Sequence, residues 1–166
     1  DKDNSIAIVA YDKTKKVVYF IENKHFFQTA HLWDNYTQLF GKEKSDINSA
    51  MSNAGALFLM SDYSYSSNGS DYYSVSGNNY TEMVGFVFNP DNQMSEFWVY
   101  IKSYSVIETI YDNLRSLYEE AKTENTDKTH VFYNKDKTLK IVLDLGNFAV
   151  VYNNQAMKQH VHDTSI

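Results

Sequence analysis

Apolar positions return along this chain in two rhythms, and each change of rhythm marks an element. Over residues 105–123, SVIETIYDNLRSLYEEAKT, Ile107, Ile110, Tyr111, Leu114, Leu117, Tyr118 and Ala121 recur every three or four places. That period puts them on one stripe of a helix, which some other surface must cover. Ser105 and Glu108 have the spacing of a capping box, so the predicted helix starts there and runs to 123.

On either side the period drops to two. Residues 6–11 and 17–22 are β-branched and aromatic runs around a polar Lys-rich turn, the pattern of a hairpin. Strands are predicted at 81–88 and 96–102, joined through Asn89-Pro90-Asp91-Asn92, and at 129–133, 138–145 and 147–153. Leu139, Ile141, Leu143 and Leu145 alternate with Lys140, Val142 and Asp144, giving one strongly apolar face and one mixed face.

The first half is written less sharply. Phe26, Ala30, Trp33, Tyr36 and Phe40 share a helical face over 24–40, with Asn23 as a cap and Gly41 as a stop. A shorter helix capped by Ser45 would carry Ile47, Ala50, Met51 and Ala54 on one side and end at Gly55. The run ALFLMS at 56–61 has the length and composition of a buried strand, although periodicity alone does not separate it from a continuing helix. The fold class implied is α+β: a single domain over 1–153, a mainly antiparallel sheet with the long helix of 105–123 packed across one face, in the order ββα … ββαβββ. Residues 154–166 show no sustained pattern and read as a poorly ordered tail.

Composition narrows the chemistry. The chain has 166 residues, no cysteine and a formal charge of -6. Thiol catalysis, disulfides and thiolate metal sites are excluded, and a nucleic-acid partner is disfavoured because no concentrated basic face exists. No apolar run has the ~18 residues needed to span a bilayer, so no transmembrane segment is expected. Richness in Tyr, Asn and Ser without Cys suggests an extracellular or cell-envelope protein, with a cytoplasmic one as the alternative.

No catalytic or metal constellation is legible, and no cofactor is implied. Serines lie in caps or in a polar stretch, and the six glycines are too dispersed for a phosphate cradle. His160 and His162 flank one residue beside Asp163, yet they sit in the tail, and a metal site needs three or four ligands. Only a pocket holding His130 or His25 beside a carboxylate would point to an enzyme.

One stretch has a composition that suggests binding. Residues 62–80, DYSYSSNGSDYYSVSGNNY, place Tyr63, Tyr65, Tyr72, Tyr73 and Tyr80 among Ser, Gly and Asn. Broad amphipathic rings of low rotamer entropy, set among small adaptable polar residues, are the mixture that antibody-like contact surfaces use. The expected function is therefore non-catalytic binding of a protein or a glycan through this Tyr-rich loop. Two alternatives remain: a cytosolic immunity- or regulator-type protein that binds a partner, and a small hydrolase-like enzyme whose site is scattered in sequence. The plainest account of the same tyrosines is that they partly cover an edge of the sheet.

Overall fold

The computed structural model describes residues 7–12, 17–22, 33, 35–75 and 80–157. Its main feature is an open antiparallel sheet of eight strands: β3 (Leu57–Asp62), β4 (Ser70–Ser74), β5 (Thr81–Phe88), β6 (Met94–Ile101), β7 (Glu119–Glu120), β8 (Thr129–Tyr133), β9 (Leu139–Asp144) and β10 (Ala149–Asn154). Their order across the sheet is β3-β4-β5-β6-β10-β9-β8-β7, so β3 and β7 are the two edges. A separate hairpin pairs β1 (Ala7–Asp12) with β2 (Val17–Glu22), as the alternation in that region predicts. Two α-helices, α1 (Lys44–Asn53) and α2 (Ile107–Leu117), complete the described elements with three short 3-10 turns. The α+β class holds.

The dominant helix is shorter than its stripe suggests. It has 11 residues, preceded by a 3-10 turn over Tyr104–Val106, and Tyr118 already has extended backbone with φ -130°. Continuing to 123 would set Glu119, Glu120 and Glu124 at the negative end of the helix dipole. Instead Glu119 and Glu120 pair with Tyr133 and Phe132 as an edge strand. The capping box does not form either: Ser103, two residues earlier, accepts the Ser105 N–H at 3.2 Å. The length that remains suits the task. Crossing from β6 to β7 means four strand spacings, ~19 Å, and an 11-residue helix with one 3-10 turn covers roughly that distance.

All the helical packing is on one face of the sheet. Ile107, Ile110 and Leu114 of α2 and Ile47 and Met51 of α1 join Val84, Phe86, Phe97, Val99, Ile141, Leu143, Val150 and Tyr152 in one core. The Phe97 and Tyr152 rings stack 4.6 Å apart at its centre. Trp33 is buried and donates its Nε1–H to Thr81 Oγ1 at 2.8 Å. The predicted helix at 24–40 lies outside the described residues for 24–32 and 34. Where it is described, Asn35–Leu39 is a 3-10 turn, with Tyr36 edge-on to Phe86 and Phe97.

Helix α1 begins before Ser45, at an N-cap on Glu43 that has no side-chain hydrogen bond. Tertiary pairing sets that start: Glu43 bridges Gln93, and the Gly41 N–H donates to the Met94 carbonyl at 2.9 Å. Its end follows the sequence. Gly55 has φ +77°, and the Ala56 and Gly55 amides return to the Met51 and Ser52 carbonyls, closing a Schellman motif.

Candidate binding surface

The run at 56–61 does form a strand, but it lies at the rim and is not buried. Leu57 is 67% exposed, Phe58 48%, Leu59 45% and Met60 52%. Its inner edge pairs with β4 through a bulge between Phe58 and Met60. Its outer edge pairs with nothing among the described residues. Apolarity alone could not tell a central strand from an edge one, because both are written as short aliphatic runs.

The Tyr-rich stretch folds back on this edge and is mostly ordered by it. β4 takes up Ser70–Ser74, and the turn before it is pinned to the end of β5. Ser66 Oγ donates to the Phe88 carbonyl at 2.5 Å, and Asn68 Nδ2 donates to the Asn89 carbonyl at 2.5 Å. Asp71, nearly buried, accepts from Ser61 Oγ at 2.6 Å and from Lys44 Nζ at 3.3 Å. The Lys44 ammonium also lies 5.0 Å from the centre of the Tyr63 ring, a cation–π distance. Lys44 thus ties α1 to the hairpin of β3 and β4.

The five candidate tyrosines separate into four environments. Tyr63 is 63% exposed, on the loop beside the free edge. Tyr73 points into the core, 1% exposed, edge-on to Phe58 at 5.5 Å and to Phe86 at 5.8 Å. Burial, with the Asp71 charge in second place, pushes its phenol up to about 12. Tyr80 is half-buried against the core, next to the undescribed residues 76–79.

Tyr65 and Tyr72 lie on the face of the sheet away from the helices, where they meet two aromatics from β6. The Tyr65 ring is edge-on to Trp98 at 5.7 Å, Trp98 stacks on Tyr100 at 6.1 Å, and Tyr72 sits 6.2 Å from Tyr100. Tyr72 also lies over Gly85, where an added Cβ would come within 2.6 Å of its ring. Beneath the ladder is a buried carboxylate, Glu96, 4% exposed. It accepts from Trp98 Nε1 at 2.5 Å and from Asn153 Nδ2 at 2.8 Å, and Tyr65 completes its shell. Desolvation, then the Glu96 charge, raises the Tyr65 phenol, and desolvation together with Tyr72 raises that of Tyr100. The Tyr65 and Tyr100 hydroxyls therefore stay protonated at neutral pH.

Two hollows flank β3, one on each face of the sheet. On the helix side a hollow of ≈ 290 Å³ is bounded by Lys44, Ser45, Asn48, Phe58, Asp71 and Tyr73. On the other face a hollow of ≈ 460 Å³ is bounded by Leu59, Met83, Tyr100, Ile101 and Phe148, with Glu82 at its rim. Phe148 is itself 39% exposed. No protein-family model, curated protein or solved structure matches this chain. The residues themselves must carry any functional reading.

The remaining sites considered from the sequence have plain outcomes. His25, His31, His160 and His162 lie outside the described residues. Among the described residues no three His, Asp or Glu side chains gather as a metal site would require, and no helix is long and apolar enough to cross a membrane. His130 does stand beside a carboxylate, Glu120, with Nδ1 and Oε1 3.3 Å apart, and it lines a hollow, so the arrangement on which the enzyme alternative depends is present. The candidate surface residues that the pattern missed are Leu57, Phe58, Leu59 and Met60, whose apolarity read as burial. Their signal was proximity in sequence to the Tyr-rich stretch.

Proposed function

We propose that this chain is a non-catalytic binding domain that takes up an extended segment of a partner protein by adding it as a ninth strand outside β3. The observation that carries the proposal is this edge: four successive apolar side chains exposed on a strand whose outer side has no partner among the described residues, with a hollow on each face. Strand addition uses both features. Backbone groups of the edge supply affinity, and alternate side chains of the added strand reach opposite faces for specificity. Here they would meet an apolar hollow on one side and the Lys44, Asn48 and Asp71 hollow on the other.

Charge favours a foreign segment over a second copy. The chain carries -6, and Asp62 on β3 and Glu82 on the neighbouring hollow lie near this edge, so pairing two copies would bring like charges together. A segment of alternating apolar residues with basic flanks is complementary. The aromatic ladder supports protein over glycan, because Glu96, Trp98, Tyr65 and Tyr72 spend their polar atoms on one another and leave few for sugar hydroxyls. An extracellular or envelope setting rests on composition alone and does not alter the edge chemistry.

The test is selection of short peptides from a random displayed library on the intact chain. Expected are peptides with alternating apolar residues that protect the β3 amides from hydrogen exchange. Their affinity should fall at least about tenfold when Leu57 and Leu59 become Lys, since edge lysines block strand addition. Methylating alternate peptide nitrogens should have a similar effect. Selected peptides that bind the lysine variant equally well would refute the proposal, as would a selection that enriches none.

A further inference from the structure

At the opposite end of the sheet, and independent of the β3 edge, the start of α2 and the strands β8 and β9 enclose a second kind of site. A hollow of ≈ 440 Å³ is lined by Tyr104, Ile107, Tyr111, His130, Leu143 and Leu145. We infer that it binds a small neutral molecule with an apolar ring and one hydroxyl, held by a hydrogen bond from that hydroxyl to His130 Nε2.

The imidazole is held in place by a network behind it. Glu120, whose side chain is 10% exposed, accepts from Tyr111 Oη at 3.2 Å, from Asn125 Nδ2 at 2.9 Å and faces His130 Nδ1 at 3.3 Å. Desolvation pulls this carboxyl upward, but the Asn125, His130 and Tyr111 hydrogen bonds outweigh it and hold the group below the usual glutamate range. An ionised carboxylate only accepts, so the shared proton belongs to Nδ1. In the neutral ring that leaves Nε2 as an acceptor, and it has no hydrogen-bond partner among the described residues. The Tyr111 ring, 4.7 Å from the imidazole, fixes its plane from one side.

The rest of the lining sets the ligand class. Ile107, Leu143 and Leu145 are aliphatic and Tyr104 is aromatic, which suits an apolar ring. Among the described residues Glu108 is the one charged side chain other than His130 on the lining, and Glu120 stands behind His130, while the Arg115 guanidinium lies over the Tyr111 ring at 5.5 Å and does not line the hollow, so an anionic ligand is disfavoured. Acyl transfer is not supported, because the lining serine, Ser105, shares its hydrogen bond with Ser103 Oγ at 2.8 Å. The site therefore binds; the structure arms no nucleophile in it.

Phenol, anisole and benzoate separate these features. Each is titrated into the intact chain while the methyl signals of Leu143 and Leu145 and the imidazole nitrogens of His130 are followed by NMR. Phenol should saturate with a Kd on the order of 1 to 10 mM, and anisole, the same ring with its donor capped, should bind about fivefold to tenfold more weakly. Benzoate should be weakest. His130→Phe should bring phenol to the level of anisole, and the wild-type comparison stands even if that variant folds poorly. Equal binding of phenol and anisole would overturn the inference, as would tightest binding of benzoate, shifts centred on other residues or no saturable shift.

Discussion

The two edges of the sheet solve the same problem in opposite ways. A strand edge exposes unpaired backbone groups and invites another strand, so proteins usually blunt it. β7 is blunted: it is two residues long, both glutamates, and a 3-10 turn at Lys122–Glu124 follows it at once. β3 is six residues long, aliphatic and aromatic, and open. Their anchors differ too. Phe58 and Tyr73 pack edge-on behind β3, whereas Glu120 holds β7 through Tyr111, Asn125 and His130. An undefended apolar edge opposite a defended one is the contrast on which the proposed binding role rests.

The apolar anchor should carry more stability than the polar one. Tyr73→Ser removes a ring that is 1% exposed and should cost about 3–5 kcal/mol in urea unfolding. Were it to cost no more than Tyr63→Ser, the aromatic anchoring of β3 would have to be abandoned. Next in size is Gly85→Ala, which forces the Tyr72 ring away from an added Cβ only 2.6 Å distant, for about 1–3 kcal/mol. Retained stability with unmoved Tyr72 and Tyr100 ring signals would mean that the ladder does not rest on that glycine.

The polar anchor should respond to acid. A carboxyl whose folded pKa is depressed binds its proton more readily in the unfolded chain, so it stabilises at higher pH and loses that contribution as pH falls. For Glu120 the contribution is complete above the ordinary value of 4.5 and lost below it, through the lower folded value. Glu120→Gln should cost about 1 kcal/mol at neutral pH, allowing for its place at a solvated rim. Its stability should then fall less than that of the parent as pH drops below about 4.5. Parallel curves would remove Glu120 as the anchor. The smallest effect is expected at the open edge, where Leu57→Lys with Leu59→Lys should change stability by only about 0.5 kcal/mol. A large loss there would mean that the edge serves the fold and not a partner.

The extent to which this was legible differs by element. Central strands declare themselves: β5, β6, β8, β9 and β10 each fall within one or two residues of their predicted bounds, because alternation and turn chemistry are local. The Asn89 turn is an example, with Asn89 Oδ1 accepting the Asp91 and Gln93 amides at 3.0 Å. The end of α2 was not legible. The apolar period runs on through Tyr118 and Ala121, and only the pairing with β8 converts Glu119 and Glu120 from helix to strand. The candidate surface was half legible. Tyrosine content marked the right hairpin, yet no local signal tells Tyr73 in the core from Tyr63 in solvent, since that choice depends on which face of β4 meets Phe86.

By itself the sequence determined the class of fold, the central strands with their turns, the axis of the crossing helix and the absence of thiol chemistry, because each depends on residues within a few places of one another. Only the tertiary structure decided which strands are edges. Edge and centre differ by the presence of a neighbour distant in the chain, and a run such as Leu57-Phe58-Leu59-Met60 is apolar in either place. It also decided that Glu120 meets Tyr111 and His130, and that Tyr65 and Tyr72 join Trp98 and Tyr100. The first meeting depends on β10 returning to pair with β6, and the second on the registers of β4 with β5 and of β5 with β6, none of which a local pattern records.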